Sequence, residues 1–267
     1  MASLTLTRTQ RRRTSLGIQY GIFAVIVLLF ALSADWKQLG ASFFRLDIAA
    51  SLFPDIITVA LRNTAVFTLL SFIFGLAVGL LIALMRLSRV PPYRWLGTIY
   101  VEIFRGLPAL LWLFMVAYAV PTAFPEYQIA GGVYGQVTIG LGMPAAAYMS
   151  ETIRAGIQAV PKGQVEAARS LGMSGTRAML SIVLPQAFRI VIPPLTNEII
   201  LLVKDSSLAY VLGVTATSIE LTKFGSDQVN ARVNPTPLVI AGLCYLIICL
   251  PLSQLVQRLE RRYQKSR

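Results

Sequence analysis

Five stretches of this chain contain no aspartate, glutamate, lysine or arginine: residues 14–34, 63–85, 106–125, 127–150 and 233–257. Each is about 20 residues or more, the length that carries a helix across roughly 30 Å of hydrocarbon at about 1.5 Å per residue. A sixth apolar region, 186–212, is interrupted by Glu198 and by the pair Lys204 and Asp205. Lipid offers no partner to a bare peptide group, so a segment that enters it must close its N–H and C=O bonds internally, as a helix does. The expected fold class is therefore all-α, a polytopic membrane protein with about six transmembrane helices. Composition agrees: 55% of residues are hydrophobic and 13% are charged, against about 25% charged in a soluble domain.

Basic residues set the orientation. With both termini inside, the inner segments hold Arg8 and Arg11–Arg13 before the first span, and Arg86, Arg89 and Arg94 between the second and third. Arg154, Lys162, Arg169, Arg177 and Arg189 lie between the fourth and fifth spans, and Arg258, Arg261, Arg262, Lys265 and Arg267 follow the sixth. The outer segments keep Lys37, Arg45, Arg62, Lys204, Lys223 and Arg232. This is a positive-inside distribution, so the net charge of +12 is a topology signal. Nucleic-acid binding is a poor alternative, because no recognition motif surrounds these residues. The first apolar run follows Arg11–Arg13 as a signal peptide would, but Asp35, Trp36 and Lys37 come after it without a small-residue cleavage site, so it reads as a retained span. Cys244 and Cys249 fall in the last span and behave as small apolar residues.

The chain contains no histidine, which removes Ser-His-Asp and Cys-His catalysis and His-ligated metals. It has no paired carboxylates flanking an obvious cleft and no G-x-x-x-x-G-K-[ST] loop, so it does not hold ATP in that way. An enzyme is the least favoured reading. Gly75 and Gly79 have the small-xxx-small spacing that lets helices approach closely, which suits packing within the chain or contact with another subunit.

The longest inner segment, 151–189, is the most informative. Pro161 and Gly163 break the end of the fourth span, and 164–171 has room for about two helical turns. Gly172 stands where a left-handed C-terminal residue belongs, Ser174 is placed to cap a second helix, and Pro185 ends or kinks that helix. A loop that only joined two spans would need about five residues. So long and patterned a segment suggests a docking element.

Within this region, Glu166-Ala167-Ala168, Gly172 and Ile182-Val183-Leu184-Pro185 have the form E-A-A, three residues, G, nine residues, I-x-L-P. Around it stand VPKGQ, LPQAFR, PPL and KDSSL, and upstream RNTAVFTLLSF (62–72) and EIFRGLPALL (102–111). Together these closely resemble the permease subunits of binding-protein-dependent ABC importers for polar amino acids. The resemblance spans about 56–257. Leu107 stands where that branch usually has threonine and Trp112 where glutamine is common, so the start of the third span is less polar here.

The resemblance implies a five-helix type I importer core over 56–257, with a cytoplasmic coupling loop at about 159–185. Flanking it are a polar tail (1–15), a first transmembrane helix with an outer connector (16–55), and a basic tail (258–267). It also implies that the helix after Pro161 docks on an ATPase through Pro161, Gln164, Glu166, Ala167, Ala168, Arg169, Leu171 and Gly172. The implied partners are ABC ATPase subunits carrying ATP and Mg, a second permease subunit (identical or paralogous), an extracytoplasmic amino-acid-binding protein and the bilayer of a bacterial cytoplasmic membrane. No cofactor is expected on this chain.

Ionisable residues inside spans are costly and usually face a wet cavity or a partner. The candidates for a substrate pathway are Glu102, Arg105, Glu151, Asn197, Glu198, Lys204, Asp205, Ser206 and Ser207. An amino acid needs an acceptor for its ammonium and donors for its carboxylate, and this set supplies both. If the fifth span begins near Pro185, Glu198 lies about 20 Å along it, too deep to reach either surface. A structural network, such as Lys204 with Asp205 or Glu198, is the competing use of these charges. An ion-coupled secondary transporter of small polar solutes is the alternative function; it accounts for the charges but not for the inner helix.

Overall fold

The computed structural model describes residues 8–264; positions 1–7 and 265–267 of the two expected tails lie outside the described residues. Eleven helices follow one another: α1 (Arg8–Ser33), α2 (Trp36–Phe43), α3 (Leu46–Ser51), α4 (Ile56–Leu87), α5 (Pro91–Gly106), α6 (Ala109–Ala123), α7 (Val133–Gln158), α8 (Lys162–Ser170), α9 (Gly175–Val211), α10 (Leu221–Arg232) and α11 (Thr236–Gln264). No strand occurs among the described residues.

Four helices, α1, α4, α9 and α11, are long and apolar enough to cross a membrane, and α5 with α6 passes the same test only when taken together as a bent pair. The sixth expected span is α7, which has the length, at 26 residues, but carries glycine and alanine where the others carry large apolar side chains. Its position explains this composition: twelve of its residues, from Val137 to Gly156, are buried among other helices rather than set against lipid.

Helix α4 shows how the bundle is sorted. Thr64, Phe67, Thr68, Ser71, Gly75, Gly79 and Ile82 recur every three or four residues and are buried. Leu69, Ile73, Leu80, Leu81 and Leu84 are exposed. The small and polar face is thus turned inward and the large apolar face outward, the arrangement lipid favours. The inward face meets α7 backbone to backbone. A Cβ added to Gly79 would lie 2.9 Å from the Ala146 carbonyl oxygen, and one on Gly142 would lie 3.1 Å from that of Ser71. Gly75 and Gly79 therefore serve packing within the chain.

Three local outcomes depart from the sequence reading. The third span is not one helix: α5 and α6 meet at 104° across Leu107 and Pro108. Pro108 has no N–H to give and holds Leu107 extended, at φ −117° and ψ 145°, so the helix stops there. Pro185, expected to end or kink a separate second inner helix, is absorbed into α9, after a wider π turn over Met179–Val183. The expected coupling loop is thereby shortened, because 175–185 forms the base of α9. Finally, α10 was not anticipated in the segment between the fifth and sixth expected spans. Its start is fixed by Glu220, whose carboxylate accepts from the backbone N–H of Thr222 (2.6 Å) and Lys223 (2.7 Å) and from the Tyr245 hydroxyl (3.0 Å).

The segment leading into α10 is tied to the outer end of α4. Asn63 donates to the carbonyls of Thr217 (2.8 Å) and Ile219 (2.9 Å), and the Leu221 N–H donates to the Thr64 hydroxyl at 3.2 Å. Tyr134 of α7 donates to the Asn63 side-chain carbonyl at 2.8 Å. Three helices and a loop thus share one buried polar knot beneath α10.

Candidate functional site: a charged cavity and an inner docking helix

The break between α5 and α6 opens onto a cavity of about 470 Å³. One wall is the break itself, from Phe104 to Ala109. Leu141, Pro144, Ala145 and Tyr148 of α7 form a second wall, and Glu198, Leu201, Leu202 and Asp205 of α9 form a third. Glu198 and Asp205 are seven residues apart, two turns along one face of α9, so both carboxylates serve the same space. Neither is in an ion pair or hydrogen bond with any described side chain. Arg105, near the end of α5, also lines the cavity, with its guanidinium carbon 5.2 Å from the centre of the Tyr148 ring. The cavity therefore joins two unpaired carboxylates, one arginine and an aromatic face within a mostly apolar lining.

Of the nine expected pathway residues, the fold brings Arg105, Glu198 and Asp205 to this cavity. Asn197 and Lys204 are exposed on other faces of α9, and Glu102 is exposed on α5. Ser206 is fully buried and donates to the Val203 carbonyl at 2.7 Å, while Ser207 is half-buried. The ion pair of Lys204 with Asp205 or Glu198 does not form. Glu151 lies deeper toward the inner end of α7, in a cluster of its own. It pairs with Arg86, with Arg154 at 2.8 Å, and more loosely with Arg105 at 3.8 Å. Gly97 makes room for this cluster, since a Cβ there would lie 2.7 Å from the Arg86 side chain. Tyr148 was not among the expected residues. Its spacing of three from Glu151 places both on one face of α7, and that was the available signal.

The second functional element is α8. Pro161 precedes it with extended backbone, and its C-terminus is a Schellman turn. The Gly172 N–H donates to the Arg169 carbonyl (3.0 Å) and the Met173 N–H to that of Ala168 (3.1 Å). Gly172 has φ +84°, the left-handed conformation that glycine adopts without penalty. Ser174 then caps the base of α9, accepting from the Arg177 N–H at 3.2 Å. Gln164 bonds the Gln186 side chain, and Val160, Val183 and Ala187 form a small core beneath the helix. Ala168 turns inward and is 6% exposed, so it packs on this chain. Glu166, Ala167 and Arg169 face outward, as does Leu171, which is 86% exposed. The outward face of α8 thus carries a bare aliphatic side chain beside a glutamate and an arginine.

Comparison with known proteins follows from these features. Residues 75–265 match the family described as binding-protein-dependent transport system inner membrane component. The chain is 38% identical over 222 residues to the L-cystine transport system permease protein TcyB of Bacillus subtilis, covering 82% of this chain and 91% of that protein. It is 42% identical over 205 residues to the probable glutamine ABC transporter permease protein GlnM of the same organism, covering 74% and 91%. Among solved structures, an amino acid ABC transporter with histidines aligns with a TM-score of 0.71 at 32% identity, over 80% of this chain and 96% of that one. The MetNI methionine ABC transporter, at 19% identity and a TM-score of 0.66, shares the fold.

Proposed function

The chain belongs to the binding-protein-dependent transport system inner membrane component family, and we propose that it is the permease subunit of an ATP-driven importer of polar amino acids. It forms half of the path across the membrane, and a second permease subunit, identical or paralogous, completes it. ABC ATPase subunits carrying ATP and Mg dock on the inner side, and an extracytoplasmic binding protein delivers the amino acid from outside. The chain itself catalyses no covalent reaction. Both termini and α8 lie on the cytoplasmic side, as the arginine distribution favours.

The observation that carries this reading is α8: a short helix, locked at its end by Gly172, that turns Glu166, Arg169 and Leu171 away from the chain. In an alternating-access cycle, closure of the ATPase dimer moves α8, and the base of α9 moves with it through the Gln164–Gln186 bond. The cavity is the substrate's station along the way. Glu198 and Asp205 supply acceptors for ammonium groups in a low-dielectric space, and a substrate satisfies them only while bound. An ion-coupled carrier would use the same carboxylates but leaves α8 without a task.

The test is reconstitution. The tagged chain should co-purify with an ATPase, and the complex in proteoliposomes, with its binding protein, should take up amino acids when ATP is supplied. Gly172→Pro and Glu166→Lys should insert normally and lose ATP-driven uptake. Normal uptake in both variants would overturn the role of α8.

A further inference from the structure

We propose that Arg105 is the receiver of the substrate's carboxylate, parked beside the cavity by Glu151 and Tyr148 until that carboxylate arrives. The proposal rests on the cavity being a substrate station and adds to it the group that recognises the amino-acid end of the cargo.

Three arginines surround Glu151, and they are not equivalent. Arg86 pairs with one carboxylate oxygen, and Arg154 bonds the other at 2.8 Å. Arg105 approaches the oxygen already taken by Arg86 and stays 3.8 Å away, beyond hydrogen-bond distance. The exposure of the three side chains follows the same order: 12% for Arg86, 27% for Arg154 and 45% for Arg105. Glu151 is thus already neutralised and its oxygens occupied without Arg105. A pair so long and so exposed holds little of the fold together.

Arg105 therefore keeps its hydrogen-bonding capacity. A guanidinium carries five N–H donors, and Arg105 spends none of them on a described residue. The Tyr148 ring, 5.2 Å from the guanidinium carbon, helps hold the side chain without using any of its donors, and a guanidinium with free donors can take a carboxylate with two parallel bonds. Arg105 borders the cavity, whose lining also carries Glu198 and Asp205. An amino acid placed between them meets a cation at its carboxylate end and two anions at its ammonium end. Two carboxyl groups and one guanidinium give the cavity more acceptor than donor character, which suits an amino acid with a cationic side chain. When the substrate carboxylate engages Arg105, Glu151 retains Arg86 and Arg154, so the exchange leaves no buried charge alone.

Three probes separate the ends of the ligand: L-arginine, agmatine, which lacks the carboxylate, and L-citrulline, which lacks the side-chain charge. Equilibrium binding is measured on the permease–ATPase complex in nanodiscs without binding protein, so that the cavity alone discriminates. The wild-type complex should bind L-arginine about tenfold or more tightly than agmatine, the value of one charge-assisted bidentate contact. Arg105→Gln should bring L-arginine down to the level of agmatine and leave agmatine within about twofold of wild type; Arg105→Lys should restore part of the difference. Equal weakening of both ligands by Arg105→Gln, or no change in either, would overturn the assignment. Glu198→Gln should lower the preference for L-arginine over L-citrulline. If it does not, while Arg105→Gln still abolishes the preference over agmatine, the acidic wall is misread and Arg105 stands. A wild-type complex that binds none of the three removes the cavity as a substrate station, and Arg105 with it.

Discussion

Glu151 and Glu198 are carboxylates on neighbouring helices of one bundle, yet their surroundings are opposite. Glu151 faces Arg86, Arg105 and Arg154, drawn from α4, α5 and its own helix. Glu198 faces a cavity and has no cationic partner among the described side chains. A charge taken out of water and fully paired ties helices together, and removing one member leaves the others stranded. A charge taken out of water and left unpaired opposes folding, and is kept where a ligand completes it. The first carboxylate is therefore architecture, and the second is the one left open for the ligand we propose, although the sequence presents both simply as glutamates.

The largest effect expected from this contrast is at Glu151. Glu151→Ala leaves Arg86 and Arg154 uncompensated in a partly buried site and should cost about 3 kcal/mol, seen as a lower unfolding temperature in fluorescence-detected size exclusion. Glu198→Gln removes an unpaired charge, so its unfolding temperature should equal or exceed that of wild type. In proteoliposomes with saturating binding protein, its preference for cationic over neutral amino acids should fall about tenfold, close to 1.4 kcal/mol. If Glu198→Gln is instead as unstable as Glu151→Ala, the contrast is false and Glu198 has a structural partner.

A third change sharpens the comparison by leaving both carboxylates intact. A Cβ at Gly172 meets nothing within 4 Å, so Gly172→Ala acts only through its left-handed backbone. It should loosen the end of α8 by about 1 kcal/mol. ATP-driven uptake should drop while ligand binding to the cavity stays as in wild type.

The smallest effect concerns Glu220, a third buried carboxylate, which caps α10 between the last two spans and is satisfied by donors rather than cations. Burial raises its pKa above the ordinary 4.5, and the bonds from Thr222, Lys223 and Tyr245 offset part of that rise. Folded protein therefore holds this proton more readily than unfolded protein does. The resulting stability is full below about 4.5 and is lost as pH rises through the elevated value. Unfolding temperature measured across that window should fall less steeply in Glu220→Gln than in wild type.

What could be read in advance divides along the same line as these carboxylates. Gly172 and Ser174 were legible because a helix cap is written in a few consecutive residues. Glu198 and Asp205 were legible as costly charges at depth, whatever surrounds them. The three arginines at Glu151 were not, because Arg86 comes from 65 residues away and only the packing of α4 on α7 delivers it. The break at Leu107 and Pro108 showed in the sequence only as an ambiguous start to the third span. Across its 104° angle Phe104 stacks on Trp112 at 4.0 Å, a contact between two helices whose directions no local pattern sets. Ala168 was read as part of a surface, but which side of a two-turn helix faces home is decided by Val160, Val183 and Ala187.

The glycine contacts between α4 and α7 have a mechanical consequence. Ordinary helix interfaces yield under load because side chains hop between rotamers and soak up small displacements. Where Gly79 lies against the Ala146 carbonyl and Gly142 against that of Ser71, main chain meets main chain, and these contacts have no side-chain rotamer to change. The two helices act as a single stiff beam about 40 Å long. In the coupling we propose for α8, a push at the foot of this beam would pass along it to Tyr148, Pro144 and Leu141, the wall of the cavity that the beam provides.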